Sequence, residues 1–269
     1  MKRRMGLSRI LPIKGKRAER VARPGTLKVI DLTRHAGDRL RMRWDDAPRV
    51  PLAKEFADRL LSLGMLIVLL PFLAFVAVAI RLSSSGPIIY RQVRIGQNRR
   101  GMSRGGGAST SYYDVYDRRT LDLPGKPFII FKFRTMVDGA ENRFGPIWAS
   151  KNDPRITLLG RVLRKLRVDE LPQLINVVKG DMSLVGPRPE RPTFVRDLID
   201  EIPEYAVRLR VKPGITGLAQ VKHHYDTCLE DVRTKLRYDL EYIRNLSPLL
   251  DLKILIRTIW VVLTMKGSH

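Results

Sequence analysis

Arg164 to Leu174 reads RKLRVDELPQL, with Asp169 and Glu170 side by side. The stretch from Lys151 to Arg167 before them holds six Lys or Arg and a single acid, Asp153. Cations at that density would keep both carboxylates ionised near neutral pH. An ionised carboxylate can coordinate Mg²⁺ through oxygen or attack phosphorus as a nucleophile. Nearby guanidinium groups would hold phosphate oxygens and neutralise charge during transfer. The pattern points to phosphoryl transfer. On these residues alone, a salt-bridge patch at a helix end is the competing reading.

Neighbouring side chains on a regular helix point about 100° apart, and Arg164 would lie about 140° round from Asp169. Pro172 alters this, because its ring expels the carbonyl of Val168 from the hydrogen-bond ladder. A kink or π-bulge there is expected to swing Arg164, Asp169 and Glu170 toward one site. Further cations stand elsewhere in the chain. Arg188 is locked between prolines in GDMSLVGPRPERP, a pre-organised anion clamp, with Glu190 closing the PRPE run. FKFRTM places Lys132 and Arg134 on alternate positions of one strand face.

The elements that must position these residues follow from periodicity. DPRITLLGRVLRKLRVDEL predicts a helix capped at Asp153, resuming through QLINVVK and ending at Gly180. IIYRQVRIG and FIIFKF read as strands. RPTFVRDLIDEIP and CLEDVRTKLRYDLEYIRNL read as amphipathic helices. A C-terminal helix, about 247–266, is apolar but punctuated by Asp251, Lys253 and Arg257, which predicts a helix at a membrane surface anchored by Trp260. Residues 102–124 form an insertion that begins Gly/Ser-rich and carries Tyr112, Tyr113 and Tyr116. It reads as a surface loop, base stacking or membrane contact being the alternatives. His223, His224 and Asp226 are expected in a structural or solvent role, because adjacent histidines diverge. The fold class expected is α+β, mainly helical, with a short β element.

Fifty basic residues against 27 acidic ones give a net charge of +23 and call for an anionic partner: nucleic acid, an acidic membrane or phosphorylated ligands. The single Cys228 excludes an intrachain disulfide, and no Cys/His spacing resembles a zinc site. The N-terminus is basic but lacks the apolar stretch of a cleavable signal. Residues 1–50 read as a mostly disordered basic arm, either able to lie on anionic membrane lipid or a solvated tail with no role. Residues 51–81 form the membrane element, with Leu60 to Ile80 uncharged. Pro71 stands in the middle, and residues 1–59 hold 17 Lys/Arg against 7 Asp/Glu, residues 81–269 33 against 20. Basic flanks on both sides favour a re-entrant helix broken at Pro71 over a crossing one. Residues 82–269 remain for a catalytic domain.

The blocks GPIIYRQVRIG, KPFIIFKFRTM, DPRITLLGRVLRKLRVDELPQLINVVKGDMSLVGPRPE, KPGITGLAQV and YDLEYIRNLSPLLDLKILIRT resemble, in order and spacing, the bacterial sugar transferases. These are monotopic polyprenyl-phosphate glycosyl-1-phosphate transferases. The resemblance implies a cytoplasmic-face enzyme of the bacterial inner membrane that uses Mg²⁺. It would move a hexose-1-phosphate from a UDP-sugar to undecaprenyl phosphate, starting a surface glycan such as exopolysaccharide. It further implies Asp169 as the nucleophile of a ping-pong reaction that releases UMP, and Glu170 as metal ligand or base. Arg164 and Arg188 would hold phosphate and the nucleotide end, with Lys132, Arg134 and Glu190 as pocket residues. No nucleic acid is expected as partner, and homo-oligomerisation is left open. The text after the GITG turn resembles a subset that starts exopolysaccharides with glucose or galactose. The rival from another class is a membrane-tethered binder of nucleic acid or other anionic ligands. A third reading is direct displacement onto a different acceptor.

Overall fold

The computed structural model describes residues 50–98, 124–139, 153–222 and 229–264. The basic arm, nearly all of the 102–124 insertion and the His223–His224–Asp226 group lie outside them. α1 (Leu52–Ser83) is long and apolar enough to cross a membrane. At 1.5 Å per residue it reaches about 48 Å. β1 (Ile89–Ile95) and β2 (Pro127–Phe133) pair antiparallel, with Ile89 opposite Phe133 and Ile95 opposite Pro127. α2 (Leu158–Lys165), a 3₁₀ turn (Val168–Gln173) and α3 (Leu174–Lys179) carry the carboxylates. Next come β3 (Ser183–Val185), α4 (Pro192–Glu201), a second 3₁₀ turn (Pro203–Arg210) and β4 (Gly214–Thr216). α5 (Leu218–Lys222), α6 (Leu229–Arg244) and α7 (Pro248–Leu263) complete the chain. The α+β, mainly helical class stands as read. The parallel pairing of β3 with β4 was not foreseen, since both segments read as Gly/Pro turns.

α1 shows why both its faces are apolar. Lys54, Glu55, Asp58, Ser62, Leu66, Leu69, Leu73, Val76, Ala77 and Ile80 recur at helical spacing and are buried or half-buried. Leu66 and Leu69 pack on the main core, built from α3, β3, α4, α6 and the second 3₁₀ turn. Leu73, Val76, Ala77 and Ile80 pack with Phe133 and Leu163. The opposite face exposes Leu60, Leu63, Ile67, Val68, Phe75 and Val78. The helix therefore lies along the domain for its whole length. Both ends are fastened by polar bonds: Lys54 to Asp251 at 2.7 Å, Lys212 to Glu55 at 2.8 Å, and Arg134 Nη2 to the Ser84 carbonyl at 2.7 Å.

The break expected at Pro71 is not an interruption. The helix runs through it, because a proline removes one bond from the ladder while the turns on either side are held by the domain. Asp251 also differs from its sequence reading. It points inward, bound by Lys54 and by the Tyr242 hydroxyl at 2.9 Å, so α7 keeps an uninterrupted outward stripe of Leu249, Leu252, Ile256, Ile259 and Leu263, with Trp260 exposed beside it.

Candidate active site

α2 begins at Leu158, not Asp153, because the Thr157 hydroxyl accepts from the Gly160 amide at 3.0 Å and caps the helix. Asp153 is instead held by the Arg155 guanidinium at 2.6 Å. Leu159 and Leu163 seat α2 on α1. Gly160 permits a close approach, since a Cβ there would collide with the Thr135 carbonyl. The helix stops at Lys165, and Arg167 takes a left-handed conformation with φ +57°. That conformation is strained for a residue with a Cβ, on the order of 1 kcal/mol. The chain restarts as the 3₁₀ turn. The distortion expected at Pro172 is thus a full break at Arg167, and Pro172 rides inside the tighter turn that follows. Three residues per turn, after a reversal of φ, bring both carboxylates beneath β2.

Glu170 is buried and saturated with cations. Lys132 Nζ donates to Oε1 at 2.8 Å, and Arg188 donates to Oε1 at 2.6 Å and to Oε2 at 3.2 Å. Burial pushes its carboxyl up, but Arg188 and Lys132 together outweigh that and hold it well below the usual range. Asp169, equally buried, accepts no hydrogen bond and forms no ion pair within 4 Å among the described residues. Burial, and then the charge of Glu170, push its carboxyl up to about 6 against the fields of Lys132, Arg164 and Arg188. Both carboxyls therefore sit on the ionised side near neutral pH, Glu170 by a wide margin and Asp169 by a narrow one. The cause is that Glu170 absorbs the hydrogen bonds of Lys132 and Arg188.

Arg164 comes into range as an electrostatic neighbour. Its Nε donates to Thr135 Oγ1 at 2.8 Å; burial lowers its pKa while Asp169 opposes the shift. Arg134 does not join the carboxylates. β2 ends at Phe133, so the alternation that delivers Lys132 lapses, and Arg134 is buried against Ser84 at the end of α1. Glu190 belongs to a neighbouring cluster, paired with Arg94 at 3.3 Å and Lys235 at 3.0 Å. Burial pushes its carboxyl up, but Lys235, Arg94 and Arg208 prevail and bring it down to about 2.

Sequence reasoning missed two positioning groups. Thr135 orients Arg164. Asn176, fully buried, accepts from the Phe131 amide at 3.1 Å and donates to the Ile129 carbonyl at 2.7 Å. It fixes α3 against the strand that carries Lys132. A polar residue within the apolar run LINVV was the available signal. Among the described residues no group of three or more His, Cys, Asp or Glu assembles. Within the carboxylate pair, Asp169 is the member whose oxygens carry no donor from the described residues.

A buried carboxylate that accepts no hydrogen bond, beside Lys132, Arg164 and Arg188, is the kind of perturbed group that marks a candidate functional site. The chain belongs to the bacterial sugar transferase family, which it matches over residues 50–103 and 112–265. It is 41% identical over 199 residues, 74% of this chain, to a UDP-N-acetylgalactosamine-undecaprenyl-phosphate N-acetylgalactosaminephosphotransferase of Aeromonas hydrophila. It is 39% identical over 219 residues, 80% of this chain, to a UDP-glucose:undecaprenyl-phosphate glucose-1-phosphate transferase of Klebsiella pneumoniae. In each case the match spans 41% of the relative's own length. An exopolysaccharide production protein of Rhizobium leguminosarum bv. phaseoli is 36% identical over 216 residues, 78% of this chain and 95% of that protein.

Proposed function

We propose that this chain transfers a hexose-1-phosphate from a UDP-sugar to undecaprenyl phosphate, starting a surface polysaccharide. The observation that carries the mechanism is the contrast at the carboxylate pair. Asp169 has lone pairs free of any hydrogen bond and is ionised above about pH 6, whereas Glu170 is tied to two cations. Asp169 is suited to attack the phosphorus that bears the sugar. The bond from that phosphorus to the UMP oxygen breaks, UMP leaves with the electron pair, and an aspartyl phosphosugar remains. An oxygen of the polyprenyl phosphate then attacks the same phosphorus and displaces Asp169, which regains its charge. Arg164 and Arg188, both close enough to act on Asp169, would hold non-bridging oxygens as charge builds.

Glu170, held well below the usual carboxylate range, is a weak base, which favours the ligand role over the base role. The donors suit Mg²⁺, an ion that keeps several waters and takes one or two carboxylates plus substrate phosphate. Asp169 would hold it through its open oxygens, Glu170 joining only where Lys132 or Arg188 yields a bond to the incoming phosphate, and it would neutralise the diphosphate. The membrane arrangement rests on α1. Its two ends are ion-paired or hydrogen-bonded to one domain, so crossing the bilayer would carry those pairs into hydrocarbon. We read the helix as lying in one leaflet, its outward face in lipid and the site on the cytoplasmic side of the inner membrane.

The test incubates membrane-purified protein with UDP-glucose, UDP-galactose and UDP-N-acetylgalactosamine, with and without undecaprenyl phosphate, and follows UMP. One sugar should give full turnover with the acceptor, and about one UMP per protein without it. No stoichiometric release without acceptor, but turnover with it, would replace the covalent scheme by direct displacement. Tags at the two termini should be shielded together from outside reagents; opposite accessibility would sink the one-leaflet arrangement.

A further inference from the structure

Pro187-Arg188-Pro189-Glu190 has two residues without an amide hydrogen, so carbonyls are the main backbone handles for fixing it. All four are taken, by donors from three elements. Pro187 accepts from the Gly214 amide and Glu190 from the Ile95 amide, each at 3.0 Å. Arg188 accepts from Arg208 Nη2 and Pro189 from Arg94 Nη1, each again at 3.0 Å. The two side-chain donors are themselves held. Arg208 is buried, pairs with Asp239 at 2.7 Å and stacks on the Tyr205 ring at 4.5 Å. Arg94 pairs with Glu190, which also binds Lys235 on α6. Gly186 and Gly214 touch so closely that a Cβ on either would strike the other's backbone.

We infer that Arg208 and Arg94 are positioning residues for Arg188: they fix its backbone so that its guanidinium is presented to Glu170 and to substrate phosphate. A guanidinium can serve a carboxylate and a carbonyl at once because its donors form a fork; an ammonium on a shorter reach cannot do both in the same geometry. Proline limits φ in the loop, but ψ at Arg188 and Pro189 is left to other contacts, and the two arginines close those rotations through the carbonyls they bind, while the Ile95 amide holds that of Glu190. Pre-organisation of this kind lowers the ordering cost of binding an anion.

The inference rests on the reading of Arg188 as a phosphate clamp, and the experiment separates the two. UDP binding is measured by calorimetry, and kcat/KM by UMP release from whichever of the three UDP-sugars turns over. The variants are Arg208→Lys, Arg94→Lys, Arg188→Ala and the two double variants, with melting temperatures recorded for each. Arg208→Lys and Arg94→Lys should each weaken UDP binding and lower kcat/KM by about tenfold. Added to Arg188→Ala they should cost less than about twofold more, because their effect passes through Arg188. Full additivity in the double variants would overturn the positioning role while leaving the clamp intact. So would a lowered melting temperature with unchanged UDP binding in both lysine variants. Wild-type UDP affinity in Arg188→Ala would remove the clamp, and the inference with it, without touching Asp169.

Discussion

Two clusters of buried charge meet at the Pro187–Glu190 run and are wired in opposite ways. Around Glu190, every charge has its complement: Arg94 and Lys235 on the carboxylate, Asp239 on Arg208. Around Asp169 the complement is withheld, because Lys132 and Arg188 are spent on the adjacent Glu170. The same chemistry brings one carboxyl down to about 2 and leaves the other up at about 6. Pairing holds a loop still; withheld pairing keeps a carboxylate available for a partner that is not protein.

The comparison is broken most directly at Asp169. Asp169→Asn should lower turnover by at least about a thousandfold, read as UMP release, if the unpaired carboxylate is the nucleophile. Turnover near the parent level would make the two clusters equivalent in kind. Glu190→Gln should do the reverse, costing about 3–5 kcal/mol of stability in thermal or denaturant unfolding because Arg94 and Lys235 lose their counter-charge. A marginal loss would show that this cluster is not the structural one.

pH sharpens the contrast. Asp169 must be ionised to attack, so UMP release in single turnover should fall toward tenfold per unit below about pH 6. A profile flat to pH 4.5 would contradict the raised carboxyl. Stability follows the opposite signs. Glu190, lowered from 4.5 to about 2, stabilises the fold above its ordinary value, and this is lost as pH falls from about 4.5 to 2. Asp169, raised from 3.8, destabilises the fold as pH rises from about 4 to 6. The smallest expected effect is therefore a gain. Asp169→Asn should be more stable than the parent by about 1–3 kcal/mol at pH 7.5, with the advantage gone near pH 4. Equal stabilities at pH 7.5 would mean that Asp169 carries no burial penalty.

Local pattern was legible in this sequence, and tertiary partnership was not. β1, β2, α4 and α6 follow from alternation or helical stripes, and α7 needed only its apolar run. Asp169, Glu170, Lys132 and Arg188 stood out by residue type and, for three of them, by a nearby proline, and the four lie together in the fold. Arg134 was misplaced because alternation says where side chains point but not where a strand stops. β3 and β4 are three residues each, too short for any period, and exist through their pairing with each other. Asn176, Thr135, Arg94 and Arg208 act through backbone or side-chain partners far along the chain, which single-sequence pattern does not encode. Asp251 shows the same limit: a charge in an apolar helix reads as surface until its partner Lys54 is seen.

α1 has a consequence for anyone seeking a water-soluble fragment. Removing residues up to Ser83 would delete more than an anchor, since Val76 and Ile80 share a core with Phe133 and Leu163, the residues that seat β2 and α2 beside the carboxylates. The fragment would expose that wall and leave Lys212 and Asp251 without Glu55 and Lys54. Solubility is better sought by replacing the outward residues Leu63, Ile67 and Phe75 while the inward row is kept.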